Sequence, residues 1–112
     1  MALGSRSWSR AIGWTVAALG LVFAGLQFVR PELTNPPVTA ELQAPPEVMQ
    51  VLKHSCYSCH SNETKLPWFD EVVPAYWVVT SDVKEARKHL NFSEIGKLPA
   101  AQQKATLFEA ET

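Results

Sequence analysis

A run of uncharged residues near the N-terminus sets the first limit on how this chain can fold. The nineteen residues from Ala11 to Val29 carry no charged side chain. As a helix rising about 1.5 Å per residue, this run is nearly as long as the hydrocarbon core of a bilayer is thick. A buried helix this apolar would need a larger core than the remaining roughly eighty residues can supply. The run therefore predicts a membrane-spanning helix.

Basic residues on either side of the run predict its orientation. Arg6 and Arg10 precede it, Arg30 follows it, and the first thirty residues contain no acidic side chain. Under the positive-inside rule, the N-terminus stays in the cytoplasm and the rest of the chain crosses the membrane. The run is long for a cleavable signal, and no convincing small-x-small cleavage site follows it. We predict an uncleaved anchor over residues 1–30, with a cleaved signal as the alternative.

Both cysteines of the chain lie in one pentapeptide, Cys56-Tyr57-Ser58-Cys59-His60. The spacing Cys-x-x-Cys-His is the one used to attach c-type haem covalently. In that chemistry the two thiols become thioethers with the haem vinyl groups, and the histidine coordinates iron. We therefore predict one covalent haem c, with Cys56 and Cys59 as attachment points and His60 as the proximal ligand.

Three other uses of these residues remain open at this point. A thioredoxin-like redox pair has the same cysteine spacing but expects a βαβ surround, which the sequence pattern does not indicate. A zinc site needs four ligands, and the adjacent Cys59 and His60, with His54 nearby, would chelate one ion awkwardly. A plain disulfide accounts for both thiols and leaves His60 unexplained.

The anchor and the pentapeptide support each other, because bacteria attach haem to cysteines only after export. Together they predict a single-pass protein of the bacterial inner membrane with its haem domain in the periplasm. From Pro31 onward the chain has seven basic and eleven acidic residues. A negatively charged body is a poor nucleic-acid binder. We expect periplasmic or membrane redox partners that carry positive patches.

The rest of the chain predicts a mainly α-helical protein with a small cytochrome c-like domain. Residues 31–46 contain five prolines and are expected to form an extended, semi-rigid linker that holds the domain off the membrane. Residues 47–112 form the predicted haem-binding domain, with helices over 47–55, from Pro74 to Leu90, and over about 100–110. The apolar pair Trp68 and Phe69 is expected to cover the haem as a lid.

Several stretches of the chain resemble a known family, the small membrane-anchored haem-binding domain proteins of bacteria. The resemblance covers about residues 27–93. It rests on Thr34-Asn35-Pro36-Pro37, on the residues from Cys56 to Thr64, on Pro67-Trp68-Phe69, and on Asp82-Val83 followed by Arg87-Lys88-His89-Leu90-Asn91-Phe92-Ser93. It implies a mainly helical haem domain exported to the periplasm and says little about the physiological reaction.

The resemblance leaves the second axial ligand of the iron open. Family members continue with a Met-Pro segment whose methionine is the natural distal ligand, whereas the last methionine here is Met49. We therefore expect either a shortened member of the family or a different distal ligand. His89 has the reach to be that ligand, while His54 and Met49 are expected on the proximal side.

The distal ligand decides between two functions. Two strong axial ligands favour a one-electron carrier, and an open position favours a gas or redox sensor. The third hypothesis is a haem-free thiol redox protein. No catalytic residues are predicted, because Asp70 and Glu71 are neighbours in sequence and would not face each other as an acid and base pair. The chain is not expected to be an enzyme.

Overall fold

The computed structural model describes residues 3–111, and helices are the only regular secondary structure in that range. The mainly α prediction is therefore confirmed. The five α-helices are α1 (Leu3–Leu26), α2 (Pro46–Ser55), α3 (Tyr57–His60), α4 (Ala75–His89) and α5 (Ala100–Glu111). Two single-turn 3-10 helices, Trp68–Asp70 and Ile95–Lys97, lie between them.

Helix α1 projects from the rest of the chain, so that the molecule measures 78 × 24 × 21 Å. Residues Gly4–Leu26 are long and apolar enough to cross a membrane, and none of their apolar span is buried within the protein. The hydroxyl of Thr15 donates to the carbonyl of Ala11, so this polar group is satisfied within the helix. An apolar N-terminal helix of this kind fits a membrane anchor.

The helices predicted from periodicity agree with the structure to within one residue at most ends. Helix α2 begins at Pro46, where a missing N–H costs nothing, and Glu47 in its first turn complements the positive end of the helix dipole. Helix α4 buries Tyr76, Thr80 and Val83 on one face. Its last turn is basic, as suits the negative end of the dipole.

One cluster of buried side chains forms the core around the cysteine motif. Tyr57 and Phe92 stack with their ring centroids 5.4 Å apart and their planes nearly parallel. Leu42, Leu90 and Ile95 complete the buried set. The cluster joins α3 to the segment before α2 and to the chain that follows α4, and thereby positions the motif.

The proline-rich segment 31–46 is extended, and it packs along the helical domain. The N–H groups of Thr39 and Ala40 both donate to the carbonyl of Ser93, and the N–H of Leu42 donates to Phe92 at 2.9 Å. Leu42 is buried in the core. The prolines predict a semi-rigid spacer but not this contact. Residues between the prolines bind the backbone of Phe92 and Ser93, which local sequence does not reveal.

Candidate haem-binding site

A cavity of about 750 Å³ lies between α2, α3, the C-terminal end of α4, and α5. Its volume is in the range of ordinary cofactor sites. Most of its lining is apolar: Leu42, Ala44, Val48, Leu52, Leu90, Phe92, Leu107 and Ala110. Cys56 and His60 of the motif also line it. The cavity therefore combines an apolar interior with a thiol and an imidazole.

Helix α3 places the three motif residues within one helical turn. The N–H groups of Cys59 and His60 both donate to the carbonyl of Cys56, at 3.3 and 3.0 Å. Residues three and four positions apart on a helix lie on the same side, so the two thiols and the imidazole share one face. Cys56 is half-buried and lines the cavity, whereas Cys59 is exposed and does not contribute to the lining, and both are free thiols.

The imidazole of His60 is oriented by a backbone carbonyl. Its Nδ1 lies 3.0 Å from the carbonyl oxygen of Leu90, which can only accept, so Nδ1 carries the proton. Nε2 of the neutral ring then carries a free lone pair, which a histidine needs in order to bind a metal. The backbone of His60 is held as well, because its carbonyl accepts the N–H of Phe92 at 2.7 Å.

Residues 90–93, which follow α4, hold the end of the motif and the chain just after it by hydrogen bonds. The hydroxyl of Ser93 accepts the N–H of Asn62 at 2.9 Å, and Asn91 donates to the Asn62 side chain at 2.8 Å. Ser93 is fully buried. Sequence reasoning did not assign this role. The residues after Cys56 and those up to Ser93 both belong to the family resemblance. That resemblance does not indicate that the two stretches are in contact.

Arg87 of α4 ties the chain after the motif to the proline-rich segment. Its guanidinium donates to the carbonyls of Ser61 and Thr34, each at 2.7 Å. It also donates to the Asn35 side chain at 3.0 Å and to the Thr64 hydroxyl at 2.8 Å. Burial lowers the pKa of this guanidinium, which nevertheless stays charged. Sequence reasoning missed this residue as well.

Of the three candidates for a distal ligand, His89 is the one that lines the cavity. Its side chain is 76% exposed, and its Nε2 lies 3.3 Å from the carboxylate of Glu85. His54 is exposed and Met49 packs into the core cluster, and neither contributes to the lining. The structure therefore keeps His89 as a candidate ligand and places the other two away from the cavity.

The expectation that Trp68 and Phe69 cover the haem is wrong. Trp68 is 78% exposed and Phe69 is 54% exposed, and neither lines the cavity. Their rings pack edge to face against each other. The cover comes instead from α2, α5 and Phe92, because the aromatic pair lies in a turn before α4, away from the motif.

The alternatives to haem find little support in residues 3–111. No strand forms there, so the βαβ surround of a thioredoxin-like pair is absent from that range. No group of three metal-binding side chains that would suit zinc is found among them either. The cysteines are unpaired, unlike in a disulfide.

The residues present fit a haem. The apolar lining suits a flat hydrophobic ring, Cys56 stands in the wall, and His60 has its iron-binding nitrogen free. The fold and the site thus define a small helical haem protein with an apolar N-terminal helix. The family model of the haem-binding domain matches residues 21–112, and the chain belongs to that family. No curated protein and no solved structure matches the chain. Membership of the family supports haem as the cofactor.

Proposed function

We propose that the protein is a membrane-anchored monohaem c-type cytochrome that passes single electrons in the bacterial periplasm. One observation carries the proposal: Cys56 and His60 line the same apolar cavity, with the His60 ring oriented by the Leu90 carbonyl. A cysteine and an oriented imidazole in one wall are what covalent attachment and axial ligation of a haem both need.

Each motif residue has a defined task in this proposal. The thiols of Cys56 and Cys59 add across the two vinyl groups, so that each sulfur bonds to carbon and each thiol hydrogen passes to the neighbouring vinyl carbon. No oxidant is consumed. Nε2 of His60 would be the iron ligand, and the Leu90 carbonyl orients the ring by accepting a hydrogen bond from Nδ1–H. When bound, haem supplies a one-electron couple, which the apolar lining shields from water.

The second candidate function is a haem-based gas or redox sensor. It is favoured by His89, whose Nε2 faces Glu85 instead of standing free as a ligand. Without His89 on the iron, the distal position would be open to a diatomic gas. The pKa of Glu85 is lowered, mostly by Lys88 and less by His89, so this carboxylate is charged where it faces Nε2 of His89.

Carbon monoxide distinguishes the two candidates. We expect slow or partial binding to the reduced protein if His89 ligates iron, and a rapid, large spectral shift if the distal position is open. His89→Ala is the matched variant, because it removes the one candidate ligand in the lining and leaves His60 in place. Equal spectral responses of both proteins would contradict ligation by His89. The absence of any haem spectrum would leave the haem-free dithiol protein.

The proposed location and partners follow from charge and from the apolar helix. Residues 31–112 carry more acidic than basic side chains, so we propose redox partners with positive surface patches and no nucleic acid. Helix α1 would anchor the protein as a single span of the inner membrane, with residues 31–112 in the periplasm. That the chain is not an enzyme stays a prediction from the sequence.

A further inference from the structure

We propose that Trp68 and Phe69, which we call the aromatic turn, lie in the membrane interface beside α1 and dock the haem domain on the bilayer. The inference rests on the proposed membrane anchor and adds a second contact with the lipid. Helix α1 alone would tether the domain, whereas two contacts fix its orientation.

A network of hydrogen bonds joins the end of α1 to the chain just after the aromatic turn. The side-chain amide of Gln27 accepts the N–H of Val73 at 2.9 Å and donates to the Val73 carbonyl at 3.0 Å. Arg30 donates to the backbone carbonyl of Glu71 at 2.7 Å and pairs with its carboxylate at 2.6 Å. Two residues of the anchor thus clasp two residues of the domain.

The first turn of α4 extends this clasp. The indole N–H of Trp77 donates to the carbonyl of Val29, and the Tyr76 hydroxyl donates to the carbonyl of Pro31 at 2.8 Å. The guanidinium of Arg30 lies over the Tyr76 ring, 3.9 Å from its centroid. These contacts hold the domain in a fixed position relative to the end of α1.

This fastening places the aromatic turn beside the last turn of the anchor. Glu71, which Arg30 holds, follows Phe69 by two residues. Phe28, two residues past the end of α1, is 89% exposed. Trp68 and Phe69 are largely exposed as well, and an exposed aromatic pair held near the end of a membrane helix fits the interfacial belt where indoles are enriched.

The charges near the aromatic turn set its depth. Asp70 follows Phe69 directly, and a carboxylate is costly in the hydrocarbon core. Glu71 is neutralised by Arg30. These groups permit contact with headgroups and upper acyl carbons and oppose deeper insertion. The occupant we assign to this surface is accordingly the bilayer interface.

The consequence concerns the haem cavity. Helix α4 begins at the clasp and its fifteen residues carry His89 about 21 Å along its axis to the cavity. The membrane contact and the cavity therefore lie at opposite ends of one rigid helix. Docking of the aromatic turn would hold the cavity in one orientation toward its redox partners.

A photo-cross-linking residue, benzoylphenylalanine, tests the docking in the full haem-loaded chain in phosphatidylethanolamine and phosphatidylglycerol vesicles. It replaces Trp68 in one variant, Phe23 of α1 in a second, and Phe108 of α5 in a third. Phe108 is the matched control, since it is an exposed aromatic at 67% and lies outside the clasp. An unaltered haem spectrum shows that each variant is folded.

We expect lipid adducts at positions 23 and 68 and none at 108. Adducts at 23 without adducts at 68 would overturn the docking and leave the anchor intact. Adducts at neither position would overturn the anchor and the docking together. Equal adducts at 68 and 108 would show non-specific lipid contact and would also overturn the docking. The same replacement at Phe69 repeats the test should the Trp68 variant fail to fold.

Discussion

At the scale of single residues, the hydrogen bond from His60 to the Leu90 carbonyl fixes the orientation of the imidazole ring. We predict that His60→Ala keeps covalently attached haem, because the thioethers do not depend on the imidazole, and that its absorption spectrum changes with the loss of an axial ligand. His54→Ala is the control, since His54 is exposed outside the cavity lining and its removal should leave the spectrum unaltered. An unaltered spectrum in His60→Ala would show that His60 is not a ligand.

Because of Tyr57, the second residue of the motif, we predict that the protein loses stability at high pH. Burial raises the pKa of its hydroxyl above the usual range, and the hydrogen bond to Glu41 adds to this effect. The unfolded chain loses the phenol proton near pH 10, while the folded chain keeps it. Stability is therefore fully present below about pH 10 and falls as the pH rises further.

The measurement is the free energy of unfolding at pH 9 and pH 11 for the wild type and Tyr57→Phe. The variant lacks the phenol and should lose less stability over this interval than the wild type. At pH 9 it should be less stable by about 1 kcal/mol, because the hydrogen bond to Glu41 is gone. Equal losses between the two pH values would show that Tyr57 does not sense pH in this way.

Some of the site followed from sequence at this scale and some did not. The pentapeptide predicts its own chemistry because the spacing of the cysteines and the histidine is local. The Leu90 carbonyl is a backbone group, so the sequence gives no sign that it orients His60. Trp68 and Phe69 were expected to cover the haem, because hydrophobicity alone does not distinguish aromatic residues that line a cavity from aromatic residues that are exposed.

At the scale of elements, Arg87 links α4 to two stretches that are distant in sequence. We predict that Arg87→Lys lowers the free energy of unfolding by about 2–4 kcal/mol, since lysine keeps the charge but lacks the planar fork of donors. Chemical denaturation of the haem-loaded protein measures this loss.

Lys88→Arg is the matched control for that variant. Lys88 lies on the same helix and pairs with Glu85 at the surface, where its side chain is 70% exposed. Exposed pairs contribute little, so we expect a change within about 0.5 kcal/mol. If Arg87→Lys lowers the free energy of unfolding no more than the control does, Arg87 does not link these segments.

Helices and connections differed in how well the sequence predicted them. Helices α2 and α4 followed from their periodic apolar residues, and α2 also from the proline at its start. Helix α5 followed from the break at Gly96 and Pro99 that precedes it. The path of residues 31–46 did not follow, because the prolines specify an extended backbone but not the surface it lies on. Its partners, Phe92 and Ser93, are some fifty residues away in sequence.

At the scale of the whole molecule, the part outside the apolar N-terminal helix is small. The core cluster has five buried side chains, and a domain of this size is near the lower limit for an independent hydrophobic core. A cavity of about 750 Å³ inside such a domain would leave its lining poorly packed without a ligand. We therefore expect bound haem to contribute much of the stability.

Limited proteolysis of the full chain with and without haem tests this expectation. The haem-free form, produced in cells that lack the haem attachment machinery, should be cut much faster in residues 46–111. An unrelated protein added to both samples serves as the reference for protease activity. Equal cutting rates would show that the domain is stable without its cofactor.

The measurement that tests the central claim most directly is the intact mass and haem stain of the denatured protein, produced in a host competent in cytochrome c maturation. We predict one haem per chain that survives denaturation, bonded to a peptide containing Cys56 and Cys59, with no free thiol left. A colourless chain of unmodified mass, with both thiols titratable, would contradict the claim and favour a dithiol protein.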